Sequence, residues 1–374
     1  MCNFNAECQT KPLTMRSTYF KNLDALRFFS FFSVFLSHTL LLAGTGNSFT
    51  EVLINVVLMN YLGVPFFFSL SSFLITYRLL IEREKKGNIR LFNFYKNRIL
   101  RIWPAYFIIL IICFVMLPLA ASVLHSKAPT LPHFLPFIFF YVNFYIIENG
   151  ESFTFALAIL WSISIEEQFY FIWGIIMKFI SGKIIGILIS LLFFLSIVFS
   201  YYYLSIHPGA SNNLAIHSLF ILQNFCAGAL AAFLFFQKSV FVLPNAVKQF
   251  AYIIPYFILP LCYLFTKDFI VFNIIKSFCY GAILYDQSFN EERLFNSGKS
   301  AIINYLGEIS YGLYLYHAVI IVLLQTQFHF FDAAVHPSVL QNILQDIIAL
   351  SITIFISHLS YKYIESKFLA LKSV

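Results

Sequence analysis

Apolar runs of about 20 residues recur from one end of this chain to the other, and they limit its fold more than any other feature. Only 11% of the 374 residues are charged, against roughly 25% in a soluble domain. A folded surface with less than half the usual charge cannot be kept wet, so lipid must replace water over most of the chain. The aromatic share is 20%, with 48 Phe. Porin-like strands would instead alternate in ten-residue segments. The expected fold class is therefore all-α, a polytopic transmembrane helical bundle. The first twenty residues are polar and lack a short apolar core with a cleavage site, so no signal peptide is expected and the first span itself targets the chain.

Hydropathy and turn signals predict ten spans, near 22–45, 52–77, 102–124, 155–177, 185–205, 214–236, 250–266, 269–286, 301–324 and 342–362. The segment 133–147 is apolar but short and begins among Pro129, Pro132 and Pro136, which reads as a re-entrant or surface-lying piece. With ten spans and both termini cytoplasmic, all of the 24 Lys and Arg lie on the cytoplasmic side except Lys127, Lys267, Arg27 and Lys276. An eleventh span at 133–147 would invert every later loop and break that pattern. The net charge of +7 is thus an orientation signal and not a nucleic-acid signature. The organisation expected is a cytoplasmic tail over 1–21, a membrane domain over 22–366 and a short cytoplasmic tail over 367–374. No stretch is long enough for a soluble catalytic module. The six cysteines show no CxxC or Cys/His spacing, so neither a disulfide framework nor a metal site is expected.

Ionisable residues at membrane depth are costly and mark function. In the first run, Arg27 and His38 are eleven residues apart, which on a helix places them on one face about 16 Å apart along the axis. Asp24 lies on the same side. In the fourth run, Glu166 and Glu167 point about 100° apart, so at least one looks into the bundle. Such a carboxylate suits orienting or activating His38. It equally suits a salt bridge to Arg27 or Lys276. Glu166 is the preferred site carboxylate, with Glu167, Ser162, Tyr311 and His317 lining a substrate cavity. Arg98 and Arg101, three apart beside the third span, present a forked pair fit for bidentate phosphate binding, and also fit for anchoring to headgroups.

These segments resemble the acyltransferase-3 family of membrane-bound O-acyltransferases, from about residue 20 to 368. The matching pieces are the R-x10-H spacing of Arg27 and His38, GVPFFFSLSSFLIT, FYKNRILRIWPAYF, LWSISIEEQFYFIWG, LGEISYGLYLYH and KYIESKF, in that order. The resemblance implies an acyl-CoA donor, usually acetyl-CoA, with no metal. It implies transfer to a hydroxyl of a cell-surface or lipid-linked glycan by an integral protein of the bacterial inner (plasma) membrane. It also implies His38 as general base or acyl-handling residue beside Arg27, and Arg98 and Arg101 as holders of the CoA phosphates. Pro65 stands where many relatives carry an aspartate, Ser72 replaces a glycine and Lys367 a proline. Gln223 or Asn224 stands near an expected arginine. A transporter or flippase is the competing class, since intramembrane Arg, Glu and His also line transport paths. The absence of repeat symmetry and of Gly/Pro-broken span pairs argues against it.

Overall fold

The structure, a computed structural model, describes residues 20–43, 63–123, 125, 129–150, 153–237, 253–259, 261–262, 265–289, 296–330 and 339–372. Among these the chain is all-helical, with no β-strand. Twelve helices organise it: α1 (Lys21–Ala43), α2 (Gly63–Lys86), α3 (Leu91–Val123), α4 (Leu135–Ile138), α5 (Val142–Asn149), α6 (Phe155–Phe179), α7 (Lys183–Ile206), α8 (Ser211–Phe236), α9 (Phe269–Phe289), α10 (Ala301–Glu308), α11 (Ser310–Phe328) and α12 (Val339–Ser360, running on to Leu369). Eight of them, all but α1, α4, α5 and α10, are long and apolar enough to cross a membrane. Helix α1, at 23 residues, is of similar length and carries Lys21, Asp24 and Arg27 in its first two turns.

The sorting of side chains is that of a body in lipid. Phe194, Ile187 and Tyr202 on α7 and Leu340, Ile347 and Phe355 on α12 are exposed, an apolar surface that water would not tolerate. Small polar and charged groups lie inside instead. With no net hydrophobic drive between helices in lipid, close backbone approach and interhelical hydrogen bonds carry the packing. Helix α2 meets α8 where a Cβ on Gly228 would run into the Ser69 carbonyl and the Ser72 hydroxyl. Ser69 Oγ donates to the Asn224 carbonyl at 2.8 Å, closing the same contact. Gly228 therefore makes room for Ser72, the residue standing in place of the expected glycine, and Ser72 Oγ turns back onto its own helix at the Ser69 carbonyl, 2.9 Å away. Gln223 and Asn224 do not reach toward a charge. Gln223 Oε1 accepts from Asn273 Nδ2 at 2.8 Å and Asn224 Oδ1 from Ser277 Oγ at 3.2 Å, tying α8 to α9.

Two expectations need adjustment. The basic stretch 78–101 is a tight turn between two helices and not a loop: α2 runs to Lys86 and α3 begins at Leu91. Gly87, at φ +71°, ends α2 in the left-handed region that a glycine adopts without strain, and Glu82 caps the turn by accepting from Arg90 N–H at 3.2 Å. The run 301–324 is two helices broken at Ile309. Gly307 just before the break presses onto the Asp24 backbone, where no Cβ would fit, and this contact seats α10 on α1. Residues 133–147 form only α4 and α5, the latter about 12 Å long, too short to cross. The last turn of α4 and the irregular backbone after it are satisfied by neighbours, as membrane depth requires: Tyr106 O–H donates to the Phe137 carbonyl and Gln168 Nε2–H to the Phe140 carbonyl, each at 2.7 Å. Of the predicted 52–77 and 250–266 spans, residues 52–62 and part of 250–266 lie outside the described residues. Pro65 falls in the first turn of α2, where its missing N–H breaks no helical bond.

Gly228→Ala should destabilise the bundle by about 1–3 kcal/mol, an overpacking cost. Gly63→Ala should be tolerated, because its nearest neighbour, Val34 Cγ2, would be an ordinary 3.7 Å from the new methyl. Thermal denaturation in detergent compares the two. Equal melting temperatures would contradict the packing assignment.

Candidate active site

A cavity of about 430 Å³ opens between α1, α2, α3, α6, α10 and α11, with Lys372 beyond the end of α12. Five cations line it: Arg27 from α1, Arg78 from α2, Arg98 and Arg101 from α3, and Lys372. Three carboxylates, Asp24, Glu166 and Glu308, share the wall. Cationic groups from four separate stretches of sequence thus meet in one space, with positive charge in excess.

Asp24, its backbone fixed under Gly307, pairs with the Arg27 guanidinium one turn along α1. The start of α1 is stapled as well. Asn22 Nδ2 donates to the Gln287 carbonyl at 3.2 Å and its Oδ1 accepts from Gly298 N–H at 2.8 Å. Arg98 is held differently, with its guanidinium carbon 5.6 Å from the Tyr170 ring centre and 6.0 Å from that of Phe94. Ring contact of this kind orients a guanidinium while leaving its N–H donors free for another partner. Arg98 Nε is buried without a hydrogen bond.

Glu166 faces the cavity, and its Oε1 accepts from both Ser71 and Tyr170. Tyr170 is one turn along α6 from Glu166, so this partner was open to an i, i+4 reading; Ser71, on α2, was not. Glu167 points elsewhere, as the 100° step requires. Its Oε2 accepts from Trp103 Nε1–H at 3.3 Å, and it is not part of the cavity wall. Ser162 does line the cavity, sharing a 2.7 Å hydrogen bond with the Tyr314 hydroxyl. Tyr311 lines it too, donating its hydroxyl to the Ile102 carbonyl at 2.8 Å.

His38 and His317 lie one layer beyond the cavity. Their rings are almost parallel, 5° apart, and Nδ1 of His38 is 3.0 Å from Nε2 of His317. Tyr314 connects the two regions. Its hydroxyl side lines the cavity, and its carbonyl lies 2.5 Å from His317 Nδ1. The structure therefore brings Arg27, Glu166, Arg98, Arg101, Ser162 and Tyr311 to one cavity, and places Glu167 and His317 outside its wall. The partner of His38 is His317, whereas the sequence had offered Glu166. Arg78, Lys372, Ser71, Tyr170 and Tyr314 complete the site. The first two read in sequence only as orientation charges, because nothing local marks which basic residue turns inward.

Two measurements follow from this charge arrangement. Arg98→Gln or Arg101→Gln should weaken binding of CoA, the polyanion expected from sequence, by about ten- to a hundredfold, the range of a charged hydrogen bond of about 1.5–3 kcal/mol. Calorimetry on nanodisc-held protein would show it, and unchanged affinity would rule out a phosphate-binding role. Lys372, half-buried and beside Arg101, Arg98 and Arg78, has its ammonium pKa pushed down to about 7 by desolvation and by those like charges. It carries charge below pH 7 and loses it above, so CoA affinity should fall as pH rises through about 7. Lys372→Met should remove that step, and an unchanged pH curve would contradict the assignment.

A protein of Staphylococcus aureus strain COL with a provisional O-acetyltransferase name is 26% identical over 336 residues, covering 83% of this chain and 52% of that protein. The O-acetyltransferase OatA of S. aureus strain NCTC 8325 is 24% identical over 374 residues, covering 93% of this chain and 57% of OatA. The chain thus spans about half the length of the curated relatives it matches. No solved structure matches it significantly. Residues 20–362 match the acyltransferase-3 family model, described as an acyltransferase domain, and with nearly the whole described bundle inside that match the chain belongs to the acyltransferase-3 family.

Proposed function

We propose that this protein is a membrane-bound O-acyltransferase that moves an acyl group, acetyl in the first instance, from cytoplasmic acyl-CoA to a hydroxyl of a cell-surface or lipid-linked glycan. The observation that carries this reading is the cavity itself, where five cations converge on about 430 Å³ with a histidine pair one layer deeper. A chain with so few charges does not crowd cations without an anion to receive. Arg98, Arg101, Arg78 and Lys372 would hold the CoA phosphates. The free Nε of Arg98 and its ring-held guanidinium fit that task.

The topology expected from the sequence fits the same direction of transfer: ten spans with both termini cytoplasmic would put Arg78, Arg98, Arg101 and Lys372 on the cytoplasmic side. From Arg27 to His38 the first helix rises about 16 Å, a distance a pantetheine arm can cover. His38 would take the proton of the acceptor hydroxyl as the oxygen attacks the thioester carbonyl. The new ester bond forms, the C–S bond breaks and CoA leaves as thiolate, which takes up a proton on the cytoplasmic side. Arg27, tied to Asp24, would stand beside the arm. Glu166, held by Ser71 and Tyr170, keeps the middle of the cavity polar for the amide-bearing arm. That one similar protein, OatA of S. aureus, is named an O-acetyltransferase supports acetyl as the group moved.

Labelled acetyl-CoA supplied to nanodisc-held protein with a cell-envelope extract should label a glycan. His38→Ala should reduce that labelling by about 10²–10⁴-fold, the contribution of a general base, while CoA still binds. Equal labelling by the variant would remove His38 from the chemistry.

A further inference from the structure

We propose that His317 is a positioning residue that fixes the tautomer of His38, leaving the reactive lone pair on His38 Nε2. The inference rests on the reading of His38 as the base and goes further, since it decides which of its two nitrogens does the work.

The argument is one of donors and acceptors. His317 is fully buried, packed edge-on against Phe31 and Phe35 at ring-centre distances of 5.8 and 6.5 Å. Its Nδ1 lies 2.5 Å from the Tyr314 carbonyl. A carbonyl only accepts, so this nitrogen carries the hydrogen. A second hydrogen on His317 would make an imidazolium among phenyl rings with no carboxylate partner among the described residues, a costly burial. His317 Nε2 therefore presents a lone pair. The 3.0 Å contact to His38 Nδ1 then needs its hydrogen from His38. With Nδ1 protonated, neutral His38 has its lone pair on Nε2, which has no hydrogen-bond partner among the described residues. The Phe155 ring stands nearly perpendicular to the imidazole of His38, with its centre 4.7 Å away.

A free imidazole favours the opposite tautomer, with the hydrogen on Nε2, so the neighbour decides which form is present. The relay also answers the charge that develops in the reaction. When His38 Nε2 takes the acceptor's proton, the Nδ1–H bond to neutral His317 becomes charge-assisted and stronger. No carboxylate is required at that position. The anchor is the backbone of α11 itself, three residues before His317.

Two substitutions separate this role from packing. His317→Gln keeps an acceptor where Nε2 stood, and His317→Asn keeps a donor toward the Tyr314 carbonyl but no acceptor toward His38. Histidine-selective ¹⁵N labelling of the full chain in nanodiscs, with the His38 signals assigned by their loss in His38→Ala, reads the tautomer without needing an acceptor. Wild type and His317→Gln should show His38 protonated at Nδ1, and His317→Asn should shift the proton to Nε2. In the transfer assay His317→Asn should lose about 10²-fold or more in turnover, with His317→Gln within about tenfold of wild type and the acetyl-CoA KM unchanged in both. His38 protonated at Nε2 in wild type, or a tautomer or turnover indifferent to His317→Asn, would overturn the proposal. If His38→Ala kept full turnover, the base assignment would fall, while the spectra would still decide the tautomer.

Discussion

Like charges forced together in a low-dielectric interior repel strongly, and this bundle holds five cations around one cavity in a chain that is 11% charged. The rest of the packing is arranged to sustain that. Gly307 lets α10 rest on the Asp24 backbone, and Asp24 neutralises Arg27. Gly228 lets α8 rest on α2, which carries Arg78 and Ser71. Aromatic faces take Arg98. Bonds between polar side chains fix the helices that bring these groups in, so the repulsion is opposed by the fold. An anionic ligand would relieve it, as the proposed donor nucleotide would, in a cavity whose cations are already brought together by the packing.

Much of this was legible in the sequence. Apolar run length gave the helices because backbone groups in lipid must be satisfied within the helix, and ionisable character in or beside those runs was enough to single out Arg27, His38, Arg98, Arg101 and Glu166 as candidates. The limits were those of local patterning. Helical periodicity says that Glu166 and Glu167 diverge but not which faces the cavity. It says nothing of Ser71 meeting Glu166 or of His317 meeting His38, contacts made by residues 95 and 279 positions apart. Lys372 was invisible as a site residue for a different reason, since the positive-inside pattern explains every cytoplasmic lysine equally well.

Three of the departures from the family pattern are absorbed locally. Ser72 keeps its hydroxyl on its own helix in the space opposite Gly228, and Pro65 occupies a first-turn position that proline tolerates. Gln223 and Asn224 join a hydrogen-bonded cluster between α8 and α9. None of the three changes intrudes on the cation cluster.

The central claim is that one cavity receives the donor nucleotide and directs its acyl end toward His38. Cryo-electron microscopy of the protein in nanodiscs with a non-transferable acetyl-CoA analogue tests it most directly. The claim predicts phosphate density among Arg78, Arg98, Arg101 and Lys372, with the pantetheine arm running past Arg27 and the acyl carbonyl within reach of His38. Nucleotide bound outside the cavity, or an arm leading away from His38, would contradict it.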